Sequence, residues 1–129
     1  MIRQNSSKLK IGFIGTGTAG TALAVKLHTQ GYRIAAASDR NPSASGRFAE
    51  MVPGCVIYDQ NQDVADNADL VFITVQDDII APVAASLKWN NGQRVVHCSG
   101  AASLDILEPA REDGAIIGAM HPLQTFAGI

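Results

Sequence analysis

The chain has 129 residues, a length that fits one domain. Its composition, 47% hydrophobic and 17% charged, is typical of a folded domain and excludes an intrinsically disordered chain. The net charge of −2 indicates no basic surface for a nucleic acid or an anionic membrane. Two cysteines, Cys55 and Cys98, cannot form a disulfide framework, and the polar N-terminus lacks a signal-peptide core, so we expect a cytoplasmic protein.

After a polar tail at residues 1–9, apolar strand-like segments alternate with segments of helical periodicity. The predicted strands are 11–14, 34–38, 55–58, 70–75, 94–98 and 115–120. The predicted helices are 18–29, 42–51, 62–67, 77–87 and 103–110. Alternating strands and helices with short connections predict a parallel sheet covered on both faces. The fold class is therefore doubly wound α/β, as one domain over 10–129.

Residues with special backbone preferences mark the ends of several predicted helices. Gly31 stops the first helix, and Pro42 opens the second, where a proline is tolerated in the first turn. Asp77 and Asp78 are expected to cap the helix that follows them, a role that we favour over catalysis. Ser103 is expected to cap the last helix.

A glycine-rich loop follows the first predicted strand. Gly15-Thr16-Gly17-Thr18-Ala19-Gly20 has the pattern GxGxxG, and it opens the first helix, as a dinucleotide-binding loop does. Gly15 allows the tight turn, Gly17 lets the backbone approach a diphosphate, and Gly20 lets helix and strand pack closely. The amides and the dipole of the helix N-terminus would hold the phosphate charge. The motif predicts a nicotinamide dinucleotide as the cofactor.

Two residues at the end of the second predicted strand bear on the choice between NAD and NADP. Asp39 can accept hydrogen bonds from the ribose hydroxyls and would repel a 2′-phosphate, which favours NAD. Arg40 can pair with that phosphate, which favours NADP, or be a solvated loop cation. The sequence leaves NADP or NAD open.

The ends of the later strands supply the remaining candidate residues, because ligands of such sheets bind at the carboxyl ends. Val75 and Gln76 are expected to line the nicotinamide-side ribose. Ser99 is a candidate for binding the cofactor and orienting the substrate, the alternative being a turn serine. His121 is a candidate proton donor or acceptor, the alternative being a histidine bonded to the backbone.

A metal site is not expected. His97, Cys98 and His121 have no metal-binding spacing, and the first two point to opposite faces of an extended strand. Cys98 has no activating neighbour in the sequence and is interpreted as a buried cysteine rather than a nucleophile.

The segments IGFIGTGTAG, LVFITVQDD, VVHCSGAASLDIL and GAMHPLQTF together resemble a known family over about residues 10–127. It is the Rossmann-like domain of a poorly characterised oxidoreductase family that continues into a helical half of unknown function. The family is similar to pyrroline-5-carboxylate reductases, deazaflavin-dependent NADP oxidoreductases and the 6-phosphogluconate/β-hydroxyacid dehydrogenase group. The resemblance implies NADP or NAD binding, with substrate determinants near Ser99, Gly100 and His121.

The sequence departs from these relatives at two positions and in length. They usually have proline at position 76 and a neutral residue at position 39, and the latter difference weakens the implied preference for NADP. Relatives continue into a helical domain that completes the substrate pocket and the dimer interface, whereas this sequence stops at Ile129. We therefore expect a truncated product or an isolated cofactor domain that could form a homodimer.

Three functional hypotheses remain. The first is an NAD(P)-dependent oxidoreductase, or its cofactor domain, that transfers hydride to or from a small carbonyl or imine compound. The second is a non-catalytic dinucleotide-binding sensor or regulatory module, since the sequence contains no unmistakable acid or base. The third, methyl transfer from S-adenosylmethionine, uses a similar glycine loop but fits the HCSGA and HPLQTF segments badly.

Overall fold

Six parallel strands form the sheet of this computed structural model, which describes residues 9–120. The strands are β1 (Lys10–Ile14), β2 (Arg33–Ser38), β3 (Val56–Tyr58), β4 (Leu70–Ile73), β5 (Arg94–His97) and β6 (Ile116–Ala119). Their order is β3-β2-β1-β4-β5-β6, so the order reverses beside β1. The carboxyl ends of β1, β2 and β4 meet there, where sheets of this kind bind ligands.

Helices follow the strands as the sequence predicts. They are α1 (Thr18–Thr29), α2 (Pro42–Met51), α3 (Asn61–Asp66), α4 (Asp77–Ser86) and α5 (Glu108–Glu112), with a 3₁₀ turn at Leu104–Leu107. Within residues 9–120, no helix combines the length and the apolar character that crossing a bilayer requires. The predicted doubly wound α/β class is confirmed.

One face of the sheet packs against α1 and α2. Phe13 of β1 stacks on Phe72 of β4, with ring centroids 5.2 Å apart, and also contacts Phe48 of α2. Leu23 of α1 is buried in the same cluster. Because α1 is fastened to the sheet by this core, its N-terminus is held at the carboxyl edge.

The opposite face packs against α3, α4 and the segment that contains α5. Ile14 and Val71 of the sheet are buried there with Val64 of α3, Ile80 of α4 and Leu107. Burial on both faces explains why β1 and β4 are continuous apolar runs rather than alternating ones.

The last predicted helix differs from the structure. Residues 103–110 were expected to form one helix, but Leu104–Leu107 is a 3₁₀ turn and α5 begins only at Glu108. The amide of Glu108 donates to the carbonyl of Asp105, and Pro109 has no N–H with which to continue an α-helical ladder. Ser103 occupies the N-cap position of the 3₁₀ turn, without a side-chain capping bond.

The start of α4 also differs from the prediction. Asp77 and Asp78 lie in the first turn, Gln76 holds the N-cap position, and no side chain makes a capping hydrogen bond. The prediction that the two aspartates cap the helix was therefore wrong. Their charges instead lie beside the positive end of the helix dipole, which stabilises the N-terminus without a cap.

By contrast, the capping of α1 and α2 follows the sequence closely. Gly31 lies just beyond α1 with φ +95°. Pro42 opens α2, and the side-chain oxygen of Asn41 accepts hydrogen bonds from the amides of Ser43 and Ala44. This cap turns the chain sharply after β2 and places the first turn of α2 beside the carboxyl edge.

Candidate functional site

A cavity of about 460 Å³ lies at the carboxyl edge of the sheet. Its walls are the glycine loop, the segment after β2 with the first turns of α2, and the segment after β4 with α4. Polar groups from three strand ends therefore face one space, as the reversal of strand order predicts.

The glycine loop presents unpaired amides at the N-terminus of α1. Gly17, Thr18 and Ala19 are exposed, and their N–H groups have no hydrogen-bond partner among residues 9–120. Gly17 and Thr18 also line the cavity. Unpaired donors at the positive end of a helix dipole are the arrangement by which proteins of this fold class hold a diphosphate.

The three glycines of the loop differ in what a side chain would meet. A Cβ on Gly15, which has φ +101°, would lie 2.6 Å from the carbonyl oxygen of Thr74. A Cβ on Gly20 would lie 2.5 Å from Oγ1 of Thr74. At Gly17 nothing lies within 4 Å, so its missing side chain leaves open space beside the amides. The first and last glycines serve packing, and the middle one leaves room for a ligand.

Hydrogen bonds from two neighbouring strands hold the loop in this shape. Oγ1 of Thr74, directly after β4, donates to the carbonyl of Gly15 at 2.7 Å. The amide of Gly15 donates to the carbonyl of Ser38 in β2 at 2.8 Å. These hydrogen bonds are made within the protein and need no ligand, and a loop held in this way loses less conformational entropy on binding.

The carboxylate of Asp39 is bonded to the same loop. Its Oδ2 accepts hydrogen bonds from the amide of Thr16 at 2.7 Å and from Oγ1 of Thr16 at 3.0 Å. Its Oδ1 accepts from the amide of Asn41 at 2.7 Å. Sequence reasoning assigned this carboxylate to a ribose, and the structure places three protein donors on it.

Two arginines line the cavity near Asp39. Arg40 follows Asp39, and Arg47 projects from α2 one turn after Ala44, which also lines the cavity. Both arginines are exposed, and neither forms an ion pair with a carboxylate in the described part of the chain. This end of the cavity therefore offers two guanidinium groups to an anion.

Of the other predicted site residues in the described part of the chain, two line the cavity and Ser99 does not. Val75 and Gln76 line the cavity on the β4 side. Ser99 lies in the turn after β5, is 6% exposed, and accepts hydrogen bonds from the amides of Ala101 and Ala102. His121 lies outside the described residues.

Burial changes the chemistry of Cys98. The side chain packs against the cluster on the α1 face, and burial raises the pKa of its thiol from 9.0 to about 12. Between residues 9 and 120, no three histidine, cysteine or acidic side chains come together as metal ligands. The raised pKa agrees with the interpretation of Cys98 as a packing residue.

We expect Cys98 to react slowly with thiol reagents, since only the thiolate is nucleophilic. A rise from 9.0 to about 12 lowers the thiolate fraction at pH 8 by about a thousandfold. Labelling should accelerate as the pH rises and on unfolding in urea, which restores an ordinary pKa. Peptide mass spectrometry after timed alkylation would measure this, and equal rates in native and unfolded protein would contradict it.

Several residues of the site were not found from the sequence, among them Thr74, Arg47 and Asn61. Thr74 holds the glycine loop, whereas Arg47 and Asn61 line the cavity. Thr74 and Asn61 follow strand ends, a position that could have marked them. For Arg47 the available signal was its spacing of three residues from Ala44, which places both on one face of α2.

The strand order and the glycine loop define a doubly wound α/β domain of the dinucleotide-binding type. The chain belongs to the Rossmann-like domain family, which it matches over residues 2–122. No curated protein matches the sequence.

Solved structures with the same fold include several oxidoreductases. The 3-hydroxyisobutyrate dehydrogenase of Mycobacterium tuberculosis has a TM-score of 0.74 and 16% identity, covering 84% of this chain and 38% of that one. An imine reductase variant from Myxococcus stipitatus, in complex with NAD+, has a TM-score of 0.70 and 20% identity, covering 89% and 42%. The 1-pyrroline-5-carboxylate reductase of Streptococcus pyogenes has a TM-score of 0.63 and 23% identity, covering 85% and 39%.

These comparisons confirm the resemblance to pyrroline-5-carboxylate reductases and to a dehydrogenase of a 3-hydroxy acid. This chain spans about two fifths of the length of each of the three proteins. The similarity shows that this chain has the same fold as the matched part of each of these proteins.

Proposed function

We propose that this chain is the cofactor-binding domain of an NAD(P)-dependent oxidoreductase. The observation that carries the proposal is the group of unpaired amides at Gly17, Thr18 and Ala19, which faces open space at a helix N-terminus. A diphosphate fits this place because it needs several N–H donors and a backbone without a protruding side chain.

The residues that line the cavity beside the glycine loop come chiefly from the segment after β2 and from the segment after β4, the strands on either side of β1. On one side lie Arg40 and Arg47, next to the ribose and adenine positions. On the other side lie Val75 and Gln76, next to the nicotinamide position. The imine reductase with the same fold was solved with NAD+, which supports assigning a nicotinamide dinucleotide to this cavity.

Within this site we assign the 2′-phosphate of NADP to the two arginines. Two donors from Thr16 bind the Asp39 carboxylate to the glycine loop, and the amide of Asn41 occupies its other oxygen, which leaves less of the carboxylate for ribose hydroxyls. Unpaired guanidinium groups suit a phosphate dianion, because they bind it with charge-assisted, bidentate hydrogen bonds. NADPH is therefore the proposed cofactor, and NADH binds more weakly.

The substrate is proposed at the level of a class. A bound reduced nicotinamide supplies hydride, and structural neighbours include an imine reductase and a hydroxy-acid dehydrogenase, which supports a small imine or carbonyl compound. Hydride transfer needs a cleft from which water is excluded. Val75 would form one wall of that cleft, and Ser99 and His121 remain the predicted groups that orient or protonate the substrate.

A titration of the purified chain with NADPH, NADH and S-adenosylmethionine tests the cofactor assignment. We expect saturable heat release with NADPH, a weaker response with NADH and none with S-adenosylmethionine. Folded protein that binds neither reduced dinucleotide would overturn the proposal, and binding of S-adenosylmethionine alone would indicate a methyltransferase domain.

A non-catalytic dinucleotide sensor is the second candidate. It is favoured by the cavity lining within residues 9–120, where the one acidic side chain, Asp39, is already hydrogen-bonded and no histidine is present. Oxidation of NADPH with a panel of small imines and keto acids separates the two functions, because a sensor would bind the cofactor without turnover.

A further inference from the structure

His97, at the carboxyl end of β5, is fully buried and has both ring nitrogens engaged. The amide of Ser99 donates to Nδ1 at 3.1 Å, so Nδ1 carries no proton. Nε2 lies 3.1 Å from the carbonyl oxygen of Ser103, which can only accept, so Nε2 carries the proton. The imidazole is therefore neutral, with one defined tautomer.

The two bonds of this ring span a tight turn. Residues 99–103, which we call the Ser99 turn, are held at one end by Nδ1 and at the other by Nε2. Inside the turn, the Ser99 hydroxyl oxygen accepts from the amides of Ala101 and Ala102 at 3.2 and 3.1 Å. In each of these three hydrogen bonds of Ser99 the donor is a backbone amide, that of Ser99 itself, of Ala101 or of Ala102. None of the three uses the hydroxyl proton of Ser99.

The hydroxyl proton of Ser99 thus has no acceptor in the described part of the chain. An oxygen that accepts two hydrogen bonds is a stronger donor through its own O–H, because neighbouring bonds polarise one another. A buried donor in this state gains most from an acceptor that arrives with a ligand.

The Ser99 turn is not among the segments that line the cavity, but sheet register places its start next to one of them. His97 pairs with Ile73 of β4, so the residues after β5 lie next to those after β4. The residues after β4 include Val75 and Gln76, which form the cavity wall away from the arginines. A dinucleotide whose diphosphate lies on α1 extends its nicotinamide half toward this side.

We propose that His97 is a positioning residue, whose neutral imidazole holds the Ser99 turn so that the Ser99 hydroxyl donates to an oxygen of the nicotinamide half of the cofactor. The acceptor is the carboxamide oxygen or a hydroxyl of the adjoining ribose. The inference rests on the proposed function, and it adds His97 as the group that positions Ser99 toward the nicotinamide half of the dinucleotide and leaves the adenosine half unaffected.

NMR of the ¹⁵N-labelled wild-type chain tests this with NADPH and with 2′,5′-ADP, which has the adenosine half but no nicotinamide. We expect NADPH to shift the Ser99 amide and the His97 ring nitrogens, and 2′,5′-ADP at saturation to leave them in place. Equal shifts with both ligands, or none with either bound, would overturn the role of His97. If neither ligand binds, the proposed function fails, and this inference fails with it.

Variants then separate positioning from simple structural support. His97→Leu and Ser99→Ala should each raise the Kd for NADPH about three- to tenfold, the effect of one lost hydrogen bond, with the Kd for 2′,5′-ADP unchanged. His97→Asn retains an acceptor for the Ser99 amide, so its Kd for NADPH should lie close to that of the wild type and below that of His97→Leu. In the Ser99→Ala background, His97→Leu should add no further loss.

A parallel loss of affinity for both ligands in His97→Leu would show a merely structural role. Should that variant fail to fold, Ser99→Ala and His97→Asn still decide the matter. An unchanged NADPH affinity in folded Ser99→Ala overturns the proposal.

Discussion

Gly17→Ala should raise the Kd for NADPH about ten- to a hundredfold and leave the protein folded. The backbone at Gly17 has φ −72°, which alanine adopts without strain, and a Cβ there meets nothing within 4 Å. The added methyl group occupies the space proposed for the diphosphate. Losing one charge-assisted hydrogen bond of about 1.5–3 kcal/mol accounts for the expected change.

Two other glycines supply controls for this variant. Gly46→Ala also adds a methyl group in open space, but within α2, so binding should persist and stability should rise by about 0.5–1 kcal/mol. Gly20→Ala would place a Cβ 2.6 Å from the carbonyl oxygen of Gly15, so it should lose about 1–3 kcal/mol of stability.

Calorimetric titration and thermal unfolding of the three variants separate effects on binding from effects on folding. The melting temperature of Gly17→Ala should stay within about 3 °C of the wild type. NADPH affinity of a folded Gly17→Ala protein equal to that of the wild type would place the diphosphate elsewhere.

Removing both cavity arginines should abolish the preference for NADPH. In Arg40→Ala/Arg47→Ala, we expect the Kd for NADPH to rise about ten- to a hundredfold, while the Kd for NADH changes less than about threefold. The reason is that only NADPH has the 2′-phosphate that the guanidinium groups would bind. Titrations at low and high salt should show a steeper salt dependence for NADPH than for NADH in the wild type.

Arg33→Ala is a matched control for charge. Arg33 is exposed at the amino end of β2, where it pairs in register with Lys10, on the edge away from the cavity. Its removal should leave both affinities unchanged. A similar loss of NADPH affinity in this variant would mean that overall charge, rather than the cavity arginines, attracts the cofactor.

A companion variant, Asp39→Asn, distinguishes the two roles considered for that carboxylate. If Asp39 chiefly holds the glycine loop through Thr16, both dinucleotides should bind more weakly by a similar factor. Selective loss of NADH affinity would instead show that the carboxylate reads the ribose.

Local patterns in the sequence determined the fold class, the succession of strands and helices along the chain, and the place of the glycine loop. Each is encoded within a short window: apolar runs for β1 and β4, the Asn41-Pro42 start of α2, and the spacing of Gly15, Gly17 and Gly20. Such patterns reflect the backbone geometry of a segment and the burial of one or both of its faces. Both are determined by residues that are close together in the sequence, so they can be recognised without the tertiary structure. The 3₁₀ turn at Leu104–Leu107 shows their limit, since a single proline divided a segment that otherwise has helical character.

The partners of the polar side chains were decided only by the tertiary structure. Asp39 bonds Thr16 across 23 residues, and Thr74 bonds Gly15 across 59, because the order of strands brings their ends together. Sequence reasoning could place Asp39 at a strand end but had no means of knowing which donors its carboxylate would meet. Hydrogen bonds between separate strand ends depend on distances of a few ångströms, and only the packed sheet determines those distances.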